Sequence, residues 1–266
     1  MKMKLGISYN VFDGLELLRP SILSVRECAD YIAVVYQNVS NHFINSDKDI
    51  KGILENLKKD NLIDCIVLYQ PNLKTYSLNS NIPVFDLHRN EISKRQIGLE
   101  CCKAAGCTHH LSMDVDEFYF SNELKMAKKK IDQEGYDATA ANIQEYYSKP
   151  IYRKIGLSDY YVSFIHKVDL SLKQDGDYFV LVDPTRRVCG YANSYLFNPD
   201  EITMHHFSTI RSSKKNLETK YINSSARSIL KNIPQVLAKE AWEFIPDETI
   251  EIVDDYFNIS KEILLG

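Results

Sequence analysis

Apolar residues in the first 150 positions fall into two alternating patterns. Short, largely apolar runs occupy Lys4–Ser8, Tyr31–Tyr36, Cys65–Tyr69 and His110–Met113, as expected of strands covered on both faces. Between them lie stretches of helical period. Asp13 stands three residues before Glu16, the spacing of a capping box, and predicts a helix that restarts at Pro20 and runs to about Ala29. Asp47 is expected to cap a second helix, with Ile50, Ile53, Leu54 and Leu57 on one face. Asn90 is expected to cap a third, closed by Gly106 as a left-handed stop. Ser121 opens a fourth, with Leu124, Ala127 and Ile131 inward and Gly135 at its end.

Strands alternating with helices predict an α/β fold with a mainly parallel central sheet and right-handed crossovers. Ligands of such sheets sit at the carboxyl ends of the strands. Tyr9, Asn10, Gln37, Asn38, Asp114 and Asp116 are therefore expected on one rim. The second half changes character. Asp137–Glu145, Tyr160–Val168 and Tyr178–Val182 read as strands, the last running into Asp183-Pro184-Thr185-Arg186-Arg187. From Ser212 the pattern is helical, with Leu217, Tyr221 and Ile222 on one stripe and a further helix begun by Pro234. The economical division is one domain over 1–211, with 212–266 as a helical C-terminal extension packed on it.

Composition narrows the function classes. The chain has 266 residues, 44% hydrophobic and 26% charged, enough for one large domain core. A formal charge of -4 argues against a general nucleic-acid binder, which would carry a basic face. The first ten residues lack a signal-peptide apolar stretch, and no window approaches the roughly 20 apolar residues that span a bilayer. A cytoplasmic protein is expected, with peripheral contact at the inner face of the membrane left open. The six cysteines form no Cys-x-x-Cys pair and read as reduced, mostly buried thiols. Cys107, His109 and His110 fail as a ligand cluster, because adjacent strand residues point to opposite faces.

The chemistry concentrates in Met113-Asp114-Val115-Asp116-Glu117-Phe118. Three carboxylates at the tip of a buried strand repel one another and are costly to desolvate without a neutralising cation. Mg²⁺ or Mn²⁺ is the natural partner of such hard oxygen ligands, and it would hold a diphosphate. Lys94 and Arg95, placed by this reading in the opening turns of the third helix, would add to the attraction of a helix N-terminus for phosphate. Gly98, four residues on, would leave room for a ligand. An acidic turn that merely caps the next helix is the plain alternative.

Together, Ser8-Tyr9-Asn10 closing the first strand, Lys94-Arg95 and Asp114-Val115-Asp116-Glu117-Phe118 resemble the GT-A glycosyltransferases. The likeness is greatest to family-two-like bacterial enzymes with an Asp-x-Asp-Glu-Phe motif, and it covers about the first 150 residues. It implies a Rossmann-like nucleotide-diphospho-sugar transferase fold, with 1–120 as the nucleotide-sugar-binding half and 121–211 as the acceptor side. It further implies that Tyr9, Asn10, Lys94, Arg95 and Asp114 meet the nucleotide sugar. Asp114, Asp116 and one histidine of Met204-His205-His206-Phe207, His206 in preference to His205, would hold the metal. Gln37 stands where many relatives carry an aspartate for the base; its amide could still hydrogen-bond a base edge, which makes it a nucleotide-sugar-binding candidate and leaves the nucleotide open. Arg211, Lys214, Lys215 and Lys220 could close over the diphosphate or form a solvated face.

Order along the chain places Glu145 and Asp183 as candidate bases for the acceptor hydroxyl. Tyr146, Tyr147, Tyr152, Tyr160 and Tyr161 offer faces for sugar rings. The implied partners are a nucleotide-diphosphate sugar and a glycan or lipid-linked glycan acceptor of bacterial capsule or lipooligosaccharide synthesis. The rival readings are a sugar nucleotidylyltransferase, a metal-dependent phosphohydrolase and a non-catalytic nucleotide-sugar binder.

Overall fold

A computed structural model describes residues 2–46, 48–72, 84–173, 177–223 and 234–265. In chain order the strands and helices begin β1 (Leu5–Val11), α1 (Leu15–Val25), β2 (Tyr31–Tyr36), α2 (Ile50–Lys59) and β3 (Cys65–Leu68). Then come α3 (Val84–Ala104), β4 (His109–Asp114), β5 (Glu117–Phe118), α4 (Ser121–Glu134), β6 (Ala138–Glu145), β7 (Tyr152–Lys154) and β8 (Tyr161–Lys167). The chain continues through β9 (Ser171–Leu172), β10 (Val188–Cys189), β11 (Ser194–Leu196), β12 (Thr203–His206) and α5 (Lys214–Asn223). It closes with α6 (Pro234–Trp242), β13 (Ile250–Ile252) and α7 (Ile259–Leu265).

The α/β class is as the patterning predicts. The main sheet runs β3-β2-β1-β4-β8-β6-β12-β5, with β11 beside β6. The first four strands are parallel, β8 is antiparallel to both β4 and β6, and β12 is parallel to β6. β1 is buried at every position because strands flank it and helices cover both faces. On one face, α3 lies against β1 and β2. On the other, Leu18, Ile22 and Val25 of α1 and Leu124, Ala127 and Ile131 of α4 join the main core. No described helix is long and apolar enough to cross a membrane.

Several local expectations change. Gly14, with φ 67°, precedes α1, and no side chain caps that helix, so Asp13 and Glu16 form no capping box. Asp47 lies outside the described residues, and the cap of α2 is Asp49, which accepts from the Gly52 N–H at 2.9 Å. Helix α3 starts at Val84, so Asn90 lies inside it and caps nothing. Its Oδ1 instead accepts from the Tyr69 hydroxyl and the Asn72 N–H. β3 is an edge strand and only half-buried, where a strand covered on both faces was expected. Tyr178–Val182 is not a strand and keeps a single bridge from Val182 to Tyr161. Its tyrosine packs inward, donating to Thr139 O at 3.0 Å.

The C-terminal part is more than helical. β13 pairs antiparallel with β7, and Ile259, Phe257 and Val253 join Leu17, Phe118 and Phe207 in a second core cluster. All six cysteines are free thiols.

Glu16 anchors the start of α5. Its Oε1 accepts from the Ser212 N–H (3.1 Å), the Ser212 hydroxyl (3.2 Å) and the Asn216 amide (3.0 Å), and Lys48 lies 3.4 Å from Oε2. Burial opposes its charge, but backbone hydrogen bonds together with Lys48 and Arg211 outweigh that and lower its pKa to about 2. The folded value lies below the unfolded value of about 4.3. The contribution is therefore present above that value and lost as pH falls toward 2. Glu16→Gln is expected to cost roughly 3 kcal/mol at pH 7. In urea unfolding the gap from wild type should shrink by more than half at pH 3. A gap equal at pH 7 and pH 3 would contradict this.

Candidate functional site

One pocket opens at the carboxyl ends of β1, β2 and β4, the rim expected of this topology. Asn10 from β1, Gln37 after β2, Lys94 and Arg95 from α3, and Asp114 and Asp116 around the β4–β5 turn all line it. Asp183, His206, Arg211 and Lys220 close it from the second half of the chain.

The acidic motif takes its shape from β5. Asp114 ends β4, and the chain turns at Val115 and Asp116 so that Glu117 and Phe118 pair with β12. The turn is pinned twice: the Asp114 N–H donates to Glu117 Oε2 at 3.1 Å, and the Phe207 N–H to Asp116 O at 2.8 Å. Adjacent residues then face opposite ways, which separates the two histidines. His206 turns to the pocket, its Nε2 3.8 Å from Asp116 Oδ1. His205 turns inward, hydrogen-bonded to the Tyr146 hydroxyl at 3.0 Å and packed edge-on against Phe120. Burial lowers the His206 pKa, so its ring is neutral at pH 7.

Each carboxylate already has cationic partners from this chain. Arg95 Nη2 donates to both oxygens of Asp114 (3.2 and 3.0 Å), and Arg186 Nη2 donates to its Oδ2 at 2.6 Å. Arg186 also pairs with Glu117, through Nη1 at 2.9 Å and through Nη2. Asp116 Oδ2 accepts from Arg211 Nη2 and Lys220 Nζ, both at 3.1 Å. Burial opposes ionisation of both aspartates, yet these cations hold each well below the usual carboxylate range. Among the described residues, no group of three or more His, Cys, Asp or Glu side chains could hold a metal ion. The set Asp114, Asp116 and His206 does not fit a resident Mn²⁺ or Mg²⁺, because Asp114 is taken up by arginines and one oxygen of Asp116 by Arg211 and Lys220.

The remaining sequence-derived residues divide. Tyr9 is fully buried away from the pocket, its hydroxyl 3.1 Å from Ser21 Oγ, which in turn donates to Glu117 O. It supports the motif from behind. Lys94 and Arg95 lie in the middle of α3, so the helix N-terminus contributes nothing to them. Lys94 Nζ donates to Gln37 Oε1 at 3.2 Å, while the Gln37 amide donates to Val39 O at 3.0 Å. Gly98 admits no ligand: a Cβ there would lie 2.4 Å from Ser8 Oγ. Asp183 faces the pocket, its Oδ1 accepting from the Thr185 N–H at 2.8 Å. Glu145 lies beside His206 in the β6–β12 register but is absent from the pocket lining, and its Oε2 is 3.5 Å from Lys154 Nζ.

Ser40, Asn41, Asp13 and Asn223 also reach the pocket, and none was assigned to it from the sequence. Arg186 was likewise passed over, although Arg-Arg after Asp-Pro-Thr marks charge at a strand-side turn. Unpartnered buried polar atoms gather at this pocket: both amide atoms of Asn10, Asn41 Oδ1, Asn223 Oδ1 and Arg211 Nε. Such atoms are rare in folded proteins and call for a partner from outside the chain.

No family model and no curated protein matches the chain. Among solved structures it is similar to Staphylococcus aureus TarS 1-349 in complex with UDP, at 10% identity and a TM-score of 0.49, over 90% of this chain and 70% of that one. The same protein in complex with UDP-GlcNAc matches at 12% identity and a TM-score of 0.47, over the same shares. GalNAc-T7 with UDP, GalNAc and Mn²⁺ matches at 13% identity and a TM-score of 0.46, over 82% of this chain and 47% of that one.

Proposed function

We propose that the chain is a GT-A-type glycosyltransferase that moves a sugar from a nucleotide-diphosphate donor to a hydroxyl of a glycan or lipid-linked glycan of the bacterial surface. The observation that carries this reading is the unpartnered polar atoms of Asn10, Asn41, Asn223 and Arg211 in one pocket with Lys94 and Lys220. Amide groups suit a base and ribose, and cations suit a diphosphate.

In this reading Asn10, Asn41 and Gln37 meet the nucleoside. Lys94 holds the orientation of the Gln37 amide. Asp114 fixes Arg95 and Arg186 behind the donor, and Asp116 fixes Arg211 and Lys220 in front of it. As the sugar–phosphate bond breaks, charge grows on the departing diphosphate, and donors already in place stabilise it without reorganising. Asp183, at the pocket edge, is the acceptor-activating base, since a carboxylate there can take the hydroxyl proton. Glu145, beside Lys154, plays no such part.

A thermal-shift panel of nucleoside diphosphates tests this, because a ligand that binds only the folded state raises the unfolding midpoint. One base is expected to stabilise the protein, and its nucleotide sugar to release nucleoside diphosphate slowly in water. Asp183→Asn should retain the shift while losing about 10²–10⁴-fold in transfer. If no nucleoside diphosphate moves the midpoint, the reading ends.

A further inference from the structure

We infer that Lys220 and Arg211 supply the charge a divalent ion would otherwise bring, so that this pocket takes its nucleoside diphosphate without a metal. The inference rests on the donor site proposed above and specifies how that site neutralises phosphate.

Arg211 and Lys220 are built into the pocket. Arg211 is 4% exposed and held by donation from Nη1 to Ile210 O at 2.8 Å, with Nη2 on Asp116 Oδ2. Its Nε–H is buried and has no partner. Lys220 Nζ donates to Ser208 O as well as to Asp116, which leaves a third ammonium proton beyond these two. The Asp116 carboxylate thus holds two cations in one place rather than standing free as a ligand. Glu16 fixes the first turn of α5, the helix that carries Lys220.

Electrostatics then disfavour a metal at the same point. An ion on Asp116 would lie beside two fixed positive charges, in a buried setting where screening is weak. On Oδ2 it would have to displace both donors, and on Oδ1 it would still share one carboxylate with them. A diphosphate entering instead finds Arg211 Nε and the free amide of Asn10 as unpaired donors. Charge-assisted hydrogen bonds from these groups supply orientation as well as attraction.

The test is calorimetric binding of the nucleoside diphosphate selected by the thermal-shift panel, using the full chain, once in EDTA and once in Mn²⁺. The expected result is binding in EDTA with a Kd within about threefold of that in Mn²⁺. Lys220→Met should weaken binding in EDTA about tenfold or more, the worth of one charge-assisted hydrogen bond. Lys220→Arg should restore most of it. Wild-type binding that requires Mn²⁺ overturns the inference while leaving the donor site standing. Tighter Mn²⁺-dependent binding by Lys220→Met also overturns it, since the lysine would then only fill a metal's place. Absence of binding in both buffers overturns the inference together with the donor reading. The wild-type comparison alone decides the question if Lys220→Met does not fold.

Discussion

Arg186→Leu is expected to lower the folding stability by about 3–5 kcal/mol, the cost of leaving a buried carboxylate without its partner. Arg186 is nearly fully buried, and it joins Glu117 to Asp114. Asp114 would keep Arg95, but Glu117, whose pKa burial already raises to about 7 despite the nearby arginines, would lose the arginine that hydrogen-bonds it. Typical domains are stable by 5–15 kcal/mol, so the variant should unfold at markedly lower urea, and its Tm should fall. Adding Glu117→Gln should recover part of the loss, because the amide removes the charge while retaining an acceptor for the Asp114 N–H. A double variant no more stable than the single one would show that the unpaired carboxylate is not the cause.

Gly98→Val is expected to damage both folding and donor binding. The helix and strand touch through complementary glycines: a Cβ at Gly98 would lie 2.5 Å from Ser8 Cβ, and one at Gly6 would lie 2.5 Å from Cys102 Cβ. Such distances force the backbones apart, since neither neighbouring atom is the far end of a flexible chain. Overpacking of this kind costs typically about 1–3 kcal/mol, and a branched side chain belongs at the upper end. Because α3 also carries Lys94 and Arg95, its displacement moves both cations away from Gln37 and Asp114. The nucleoside-diphosphate thermal shift should therefore fall along with Tm. A variant with normal Tm and normal shift would mean that the helix–strand approach has slack.

Much of the scaffold was legible because its signals are local. Tyr31–Tyr36 reads as a strand because six consecutive residues suit a pleat buried on both faces, and the structure gives those bounds. Gly135 reads as a helix stop because only a residue tolerant of positive φ ends a helix there, and its φ is 70°. The helix before it needs only the spacing of Leu124, Ala127 and Ile131, all buried. Two of the caps, at Asp13 and Asn90, failed for an equally physical reason. Asp13, Asp49 and Asn90 have the same short polar reach, and chain direction in space decides which of them meets an orphan N–H. The acidic motif and its place at the tip of β4 were also visible, since a polar cluster after an apolar run has few other places to go.

What neutralises that motif was not visible. From the sequence, three crowded carboxylates demand a cation, and a divalent ion is the simplest one to invoke. In the fold the cations arrive from far along the chain. Arg186 lies 72 residues from Asp114, while Arg211 and Lys220 lie 95 and 104 residues from Asp116. No periodicity of 2 or 3.6 residues carries information over such separations. The sequence by itself therefore determined the strands, most helices and the rim where chemistry would gather. Only the tertiary structure decided that His206 rather than His205 faces the pocket, that Tyr9 and Gly98 serve packing, and that arginines and a lysine meet the aspartates. Local propensity is written in neighbouring residues, whereas charge pairing depends on which distant segments packing brings within about 3 Å.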